Sequence, residues 1–296
     1  MPSGFVIGVT GPQLVVRVGD ADVACVLRGR LKKERKQVTS LVVVGDNVEV
    51  TLLPDGSGAI EAVQPRRTEL VRPGFANRAR LVAANLDQLV VVQATQRPRF
   101  NRHLVERFLT MAAGGGMSVV VVVNKSDLED EAAVELWVQP LRAAGVPVFL
   151  TNAKSGAGVE ALRSALAGKL SAMVGQSGVG KSSLLNALDP SLQIRTAEVS
   201  DATQKGKHTT TASRIYPLAG GGQLVDTPGI RELALFEGDP ESIAAVFPEI
   251  TEAASGCRFR GCSHSHEPGC MVKQLVEAGA IDRDRYQHFL KLSAGD

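Results

Sequence analysis

At 296 residues the chain has room for about two domains of ~150 residues each. Hydrophobic residues make up 44% and charged residues 22%, a globular balance that excludes a disordered or fibrous chain. The 33 Lys and Arg against 31 Asp and Glu leave a net charge of +2, so any grip on nucleic acid or membrane must come from a local patch.

From Phe5 to Val63 short β-rich pieces follow one another between Gly, Pro and Asp: Phe5–Val9, Leu14–Val18, Val23–Leu27, Leu41–Val44, Val48–Leu53 and Ala59–Val63. No helical period intervenes, which predicts an all-β barrel or sandwich. A basic loop interrupts it, with Arg28, Arg30, Lys32, Lys33, Arg35 and Lys36 as six cations in nine positions. On a small barrel such a loop is a candidate grip on a nucleic-acid backbone, against the commoner fate of a solvated charge run. Residues 64–80 are rich in Arg and Pro and read as a linker.

The rhythm then changes. Leu86–Val92, Val119–Val123, Val146–Leu150 and Leu170–Val174 are apolar runs of strand length, with helical segments around Arg102–Ala113, Glu129–Ala143 and from Lys181. Strand–helix alternation predicts a parallel sheet covered by helices, continued by strands near Arg214–Leu218 and Gln223–Val225. Beyond Phe236 the pattern is helical and acidic. The predicted domains are therefore 1–67 (barrel), 68–236 (α/β) and 237–296 (helical). No apolar run approaches the ~20 residues of a membrane span, and Met1–Gly4 does not read as a signal peptide, so a cytoplasmic protein is expected; it is also expected to be a monomer.

Gly175-Gln176-Ser177-Gly178-Val179-Gly180-Lys181-Ser182 fits G-x-x-x-x-G-K-[ST] between a predicted strand and a helix that begins near Ser183. The glycines let backbone N–H groups turn onto a polyphosphate, Lys181 supplies charge at the β- and γ-phosphates, and Ser182 can ligate Mg²⁺. Asn124-Lys125-Ser126-Asp127 follows a buried strand and resembles the N-K-x-D element of GTPases. Its carboxylate accepts from the guanine N1–H and N2–H₂, donors that adenine lacks at that edge. Asn152-Ala153-Lys154 resembles the short S-A-K loop against the base, with Asn in place of Ser.

Asp226-Thr227-Pro228-Gly229 resembles the D-x-P-G element, with Asp226 on the water shell of Mg²⁺ and the Gly229 N–H at the γ-phosphate. A switch Thr is expected between it and the phosphate loop, Thr210 ahead of Thr209. The water-orienting Gln of Ras-like enzymes is replaced by Ile230, which predicts slow intrinsic hydrolysis. His208 is a candidate for the missing catalytic role, with an ordinary surface-loop histidine as the equal alternative. The guanine elements precede the phosphate loop, the reverse of the ordinary order. Since each follows a strand, the chain reads as a circularly permuted GTPase.

Cys257-x₄-Cys262-x-His264-x₅-Cys270 supplies three thiols and an imidazole, a closed donor set suited to one structural zinc. His266 is a rival nitrogen.

Together with Cys25–Gly29, Val44-Gly45-Asp46, Pro65-Arg66-Arg67 and Ala84-Asn85-Leu86-Asp87, these motifs give the chain a resemblance over nearly its whole length. It resembles the bacterial small-ribosomal-subunit-dependent GTPases, which join an oligonucleotide-binding-fold (OB-fold) barrel, a permuted GTPase domain and a zinc domain. The resemblance implies slow GTP hydrolysis stimulated by the small subunit, a role late in its maturation, contact with its rRNA, and zinc on the same four residues. A GTP-gated RNA-binding checkpoint, with hydrolysis only as a reset, is the alternative.

Overall fold

The computed structural model describes residues 1–28, 41–72, 80–193, 212–226 and 239–295. They form two compact units: Met1–Phe100 with Gly115–Leu235, and Asn101–Gly114 with Phe236–Asp296.

The first unit opens with a five-stranded barrel: β1 (Ser3–Thr10), β2 (Gln13–Val18), β3 (Ala21–Leu27), β4 (Asn47–Leu52) and β5 (Gly58–Val63). Its order β1-β2-β3-β5-β4 closes through a β1–β4 pairing, and only β3–β5 is parallel. Closure removes the exposed edges that an open sheet would leave. Alternation fills it: Val16, Val23, Cys25, Val48, Val50 and Ile60 point inward.

Two expectations fail next to the barrel. Leu41–Val44 is not a strand among the described residues; it makes one isolated bridge, from Val44 to Ala83. The segment read as a linker contains β6 (Glu69–Arg72), paired antiparallel with β7 (Arg80–Ala84). The cause is Asp46, whose side chain is wholly buried. Its carboxylate takes two bonds from Arg66, at 2.7 and 3.1 Å, and one from the Val43 N–H at 2.9 Å. A buried carboxylate needs this many donors, and meeting them folds the chain on both sides into a fixed junction.

The α/β part contains β8 (Gln88–Ala94), β9 (Ser118–Asn124), β10 (Val148–Leu150), β11 (Leu170–Val174), β12 (Ala212–Pro217) and β13 (Gln223–Asp226). Their order is β10-β9-β8-β11-β13-β12, parallel except for β12 against β13. Strands β8 and β11 are buried along their whole length, as the unbroken apolar runs require. Helix α1 (Arg102–Gly114) groups with the second unit, whereas α2 (Glu131–Ala143), α3 (Val159–Leu166) and α4 (Lys181–Leu188) stay in the first. Strand β12 also pairs with β1, so barrel and parallel sheet form one sheet of eleven strands.

The second unit adds α5 (Pro240–Val246), α6 (Pro248–Ala254), α7 (Met271–Glu277) and α8 (Arg283–Ala294) to α1. Ile243, Phe247, Ile250, Val272, Ile281 and Leu292 form its core, together with Cys270. Among the described residues, no helix is long and apolar enough to cross a membrane.

Candidate functional site

The candidate nucleotide elements among the described residues lie at the C-terminal ends of parallel strands, where ligands bind in open α/β sheets. Strand β11 runs into Gly175–Gly180 and then α4, β9 ends at Asn124, β10 leads into Thr151–Lys154, and β13 ends at Asp226. Gly175 has φ 145°, and a Cβ there would lie 2.2 Å from the Val92 carbonyl of the neighbouring strand. Gly180, the N-cap of α4, has φ 96°, and a Cβ would lie 2.3 Å from Asn124 Nδ2. Both positions admit glycine only, for conformation and for space. The N-terminus of α4 thus opens directly from the loop, at a position suited to an anion. The Lys181 ammonium lies across the loop, donating to the carbonyls of Gly175 at 2.5 Å and Gln176 at 2.7 Å.

Asn124 ties three of these segments together. It is 2% exposed; Nδ2 donates to the Val179 carbonyl at 2.9 Å, and Oδ1 accepts from the Ala153 N–H at 3.1 Å and Thr151 Oγ1 at 3.3 Å. One amide therefore fixes the base-side loops of β9 and β10 against the phosphate loop. The Ser126 N–H reinforces this by donating to the Thr151 carbonyl at 3.1 Å.

Lys125 adopts φ 56°, and its ammonium donates to the carbonyls of Arg97 at 2.5 Å and Gln96 at 3.3 Å. Burial first, and then the charges of Lys154 and Arg97, holds that ammonium below its ordinary pKa. Asp127 sits in a short 3-10 helix over Ser126–Leu128. It is exposed, and its carboxylate takes no hydrogen bond among the described residues. Asn152 folds its own loop by accepting from the N–H groups of Lys154 at 2.9 Å and Ser155 at 3.2 Å. The Asn found in place of Ser thus has a local role, an Asx turn.

Four contributors escaped the sequence reading. Thr95, at the end of β8, donates through Oγ1 to the Lys125 carbonyl at 2.5 Å, while Thr151 and the Gln96–Arg97 carbonyls hold Asn124 and Lys125. The available signal was position: they stand at or just beyond the ends of β8 and β10. His208, Thr209, Thr210, Gly229 and Ile230 lie outside the described residues, as do Arg30, Lys32, Lys33, Arg35 and Lys36. Arg28 is described, and its guanidinium pairs with Glu61.

In the second unit, Cys257, Cys262, His264 and Cys270 form a group able to hold a metal ion, with ligand atoms within 4.8 Å of one another. Cys257 Sγ lies 3.8 Å from Cys270 Sγ, and His264 Nδ1 lies 3.6 and 3.5 Å from those two sulfurs. His264 and Cys270 are buried, and the Tyr286 hydroxyl fixes the His264 carbonyl at 2.6 Å. His266, the rival nitrogen, is exposed and bonded to the Ser265 hydroxyl at 2.9 Å.

Comparison with known proteins fits this arrangement. A family profile described as RsgA GTPase matches residues 63–236. A Gemmatimonas aurantiaca protein named small ribosomal subunit biogenesis GTPase RsgA is 44% identical, covering 90% of this chain and 88% of its own. Its Chlorobaculum tepidum namesake is 40% identical, covering 98% and 96%. Among solved structures, YjeQ from Thermotoga maritima superposes with TM-score 0.76 at 34% identity, covering 98% of this chain and 96% of that one. YloQ, described as a circularly permuted GTPase, gives 0.74 at 29%, covering 99% and 94%. With its candidate guanine elements after β9 and β10, ahead of the Gly175–Ser182 loop after β11, this chain belongs to the RsgA GTPase family and is a circularly permuted, GTP-hydrolysing enzyme.

Proposed function

We propose that the chain hydrolyses GTP slowly on its own and faster on the small ribosomal subunit, assisting late maturation of that particle. The observation that carries the nucleotide assignment is Asn124, whose buried amide locks both base-side loops onto the phosphate loop. In this reading Asn124, Lys125, Ser126 and Asp127 with Ala153 and Lys154 hold guanine, the exposed Asp127 carboxylate taking its two donors. Residues 175–183 hold the phosphates; Lys181 leaves the loop carbonyls for the β- and γ-oxygens. Ser182, Thr210 and, through water, Asp226 serve the Mg²⁺ that a GTPase requires. Gly229 meets the γ-phosphate, and His208 orients the attacking water in place of a Gln. The basic segment with Arg28, Arg30, Lys32, Lys33, Arg35 and Lys36 contacts rRNA phosphates.

The metal of the second unit is zinc in a structural role. Zn–S bonds of about 2.3 Å and Zn–N bonds of about 2.0 Å in a tetrahedron give edges of about 3.8 and 3.6 Å. The separations of 3.8, 3.6 and 3.5 Å among Cys257, Cys270 and His264 match those edges. Four protein ligands would leave no position for substrate.

The test is GTP turnover measured with purified small subunits, with large subunits and with neither. Stimulation by small subunits alone is expected. GTP-dependent subunit binding with unstimulated turnover would instead make the protein a checkpoint module, with hydrolysis only as a reset.

A further inference from the structure

Helix α1 carries His103 and Glu106 three positions apart, on one face, and α8 brings His288 to the same place. Glu106 is wholly buried, which a carboxylate tolerates only when its oxygens are engaged. Its Oε1 accepts from Arg285 at 3.0 Å and Arg102 at 3.2 Å. Those guanidiniums are themselves shared, Arg285 with Glu249 and Arg102 with Asp282. Three carboxylates thus face two guanidiniums, and this ring of paired charges keeps a net negative charge.

Oε2 looks the other way, toward His288 Nδ1 at 2.5 Å. The His103 ring lies beside it, with centroids 4.5 Å apart and planes tilted by 37°. His103 Nδ1 is buried and has no hydrogen-bond partner. A buried polar atom left without a partner requires an explanation, and an ion held at the ring edges beside Glu106 supplies one. Burial first, then the charges of His288 and Arg107, pushes the His103 imidazole down to about 4.

We propose that His103, Glu106 and His288 form a second divalent-metal site, of zinc type, that ties α1 to α8. The ligand atoms of all three lie within 4.8 Å of one another, and a His₂Glu set suits zinc with water in the fourth position. Arg107 and Lys291, the other cations facing His103, oppose a dication, so this site binds more weakly than the three-thiol group. Metal entry replaces the Glu106–His288 hydrogen bond by two coordinate bonds; the proton in that bond moves to the other ring nitrogen of a neutral His288, and one proton goes to solvent if the ring is cationic.

The experiment uses the full chain, stripped of metal and titrated with Co²⁺ and, separately, Zn²⁺. Cobalt at the cysteine group gives thiolate charge-transfer bands, which a His₂Glu site cannot produce, so the two events are read independently. The proposal requires a second binding step without those bands, and about one zinc equivalent more in wild type than in His103→Ala or His288→Ala. It also requires that zinc added beyond the first equivalent, which fills the cysteine group, raise the melting temperature of wild type but not of His288→Ala. Intact charge-transfer bands in both variants establish that their second unit is folded. An equal metal count in wild type and variants overturns the proposal, leaving the cluster a hydrogen-bonded His–Glu–Arg network.

Discussion

Replacing Asn124 by Ala probes the nucleotide site at its centre. The substitution removes a donor from the Val179 carbonyl and an acceptor from the Ala153 N–H and the Thr151 hydroxyl. Val179 is fully buried, so its carbonyl has no access to water, whereas Ala153 is half-buried and can recruit one. At about 1–3 kcal/mol for each buried group left unpaired, and less where water enters, the loss is about 2–4 kcal/mol. The base-side loops also lose their register against the phosphate loop, so GDP affinity should fall by about tenfold or more.

The single Trp of the chain, Trp137, stacks on Phe100 inside the first unit with ring centroids 5.5 Å apart. Its fluorescence during urea unfolding therefore reports on the unit that carries the site, and a fluorescent GDP analogue reports affinity on the same sample. Gly180→Ala approaches the same interaction from the other side, because its Cβ would lie 2.3 Å from Asn124 Nδ2. In the double variant the two losses should fall short of additivity by about 1 kcal/mol or more, since each destroys the same contact. An Asn124→Ala protein within about 0.5 kcal/mol of wild type, with unchanged GDP affinity, would refute the idea that this amide organises the site.

Asp127→Asn should lower GTP affinity by about 10²-fold and shift preference toward xanthosine triphosphate, because an amide cannot accept from both guanine donors; competition against labelled GDP measures it. Asp239 caps α5, accepting from the N–H groups of Glu241 and Ser242, so Asp239→Ala should cost the second unit about 1 kcal/mol at neutral pH. Its carboxyl is held below its usual pKa, chiefly by the Ser242 hydroxyl. The contribution is therefore complete above the ordinary carboxylate range, and the gap between wild type and variant should close as pH falls through that range and on through the lowered value. Chelation, or Cys262→Ser with Cys270→Ser, should unfold the second unit while GTP still binds, because site metal energy is folding energy and the nucleotide elements lie in the first unit. Nucleotide affinity and far-ultraviolet circular dichroism on one metal-free sample decide it, and loss of GTP binding with the helices intact would count against a structural metal.

What the sequence made legible follows from how local each signal is. The phosphate loop is a contiguous run whose glycines, lysine and serine serve neighbouring atoms, and it stands between β11 and α4 where expected. The unbroken apolar runs became β8, β9 and β11 because strands buried on both faces need no alternation. The metal ligands are close in sequence, so spacing alone nearly suffices. The support of the guanine loops was less readable. Thr95 and Thr151 carry no motif, and their hydroxyls matter only because strand order places β8 and β10 on either side of β9.

The junction after the barrel was hidden for the same reason, on a larger scale. Val44-Gly45-Asp46, Pro65-Arg66-Arg67 and Ala84–Asp87 read as three separate fragments, and Arg-rich sequence between two domains suggests solvated linker. In the fold they are one object. Arg66 pairs with buried Asp46, the Arg67 N–H donates to Asn85 Oδ1 at 2.8 Å, Asn85 Nδ2 donates to the Gly45 carbonyl at 2.8 Å, and Arg67 reaches Asp87 at 2.6 Å. Asp87 in turn accepts from the Leu170 N–H at 2.7 Å, at the start of the strand that leads to the phosphate loop. The same unit is joined a second time where β12 pairs with β1, Gly8 opposite Arg214. A charge on a linker costs little and does little, whereas a carboxylate at zero exposure must be met by fixed donors. Two separate connections of this kind, one polar and one a β-ladder, make the barrel a rigid extension of the sheet that carries the nucleotide loops. A partner held by the barrel is therefore held in register with the site where GTP would be cleaved.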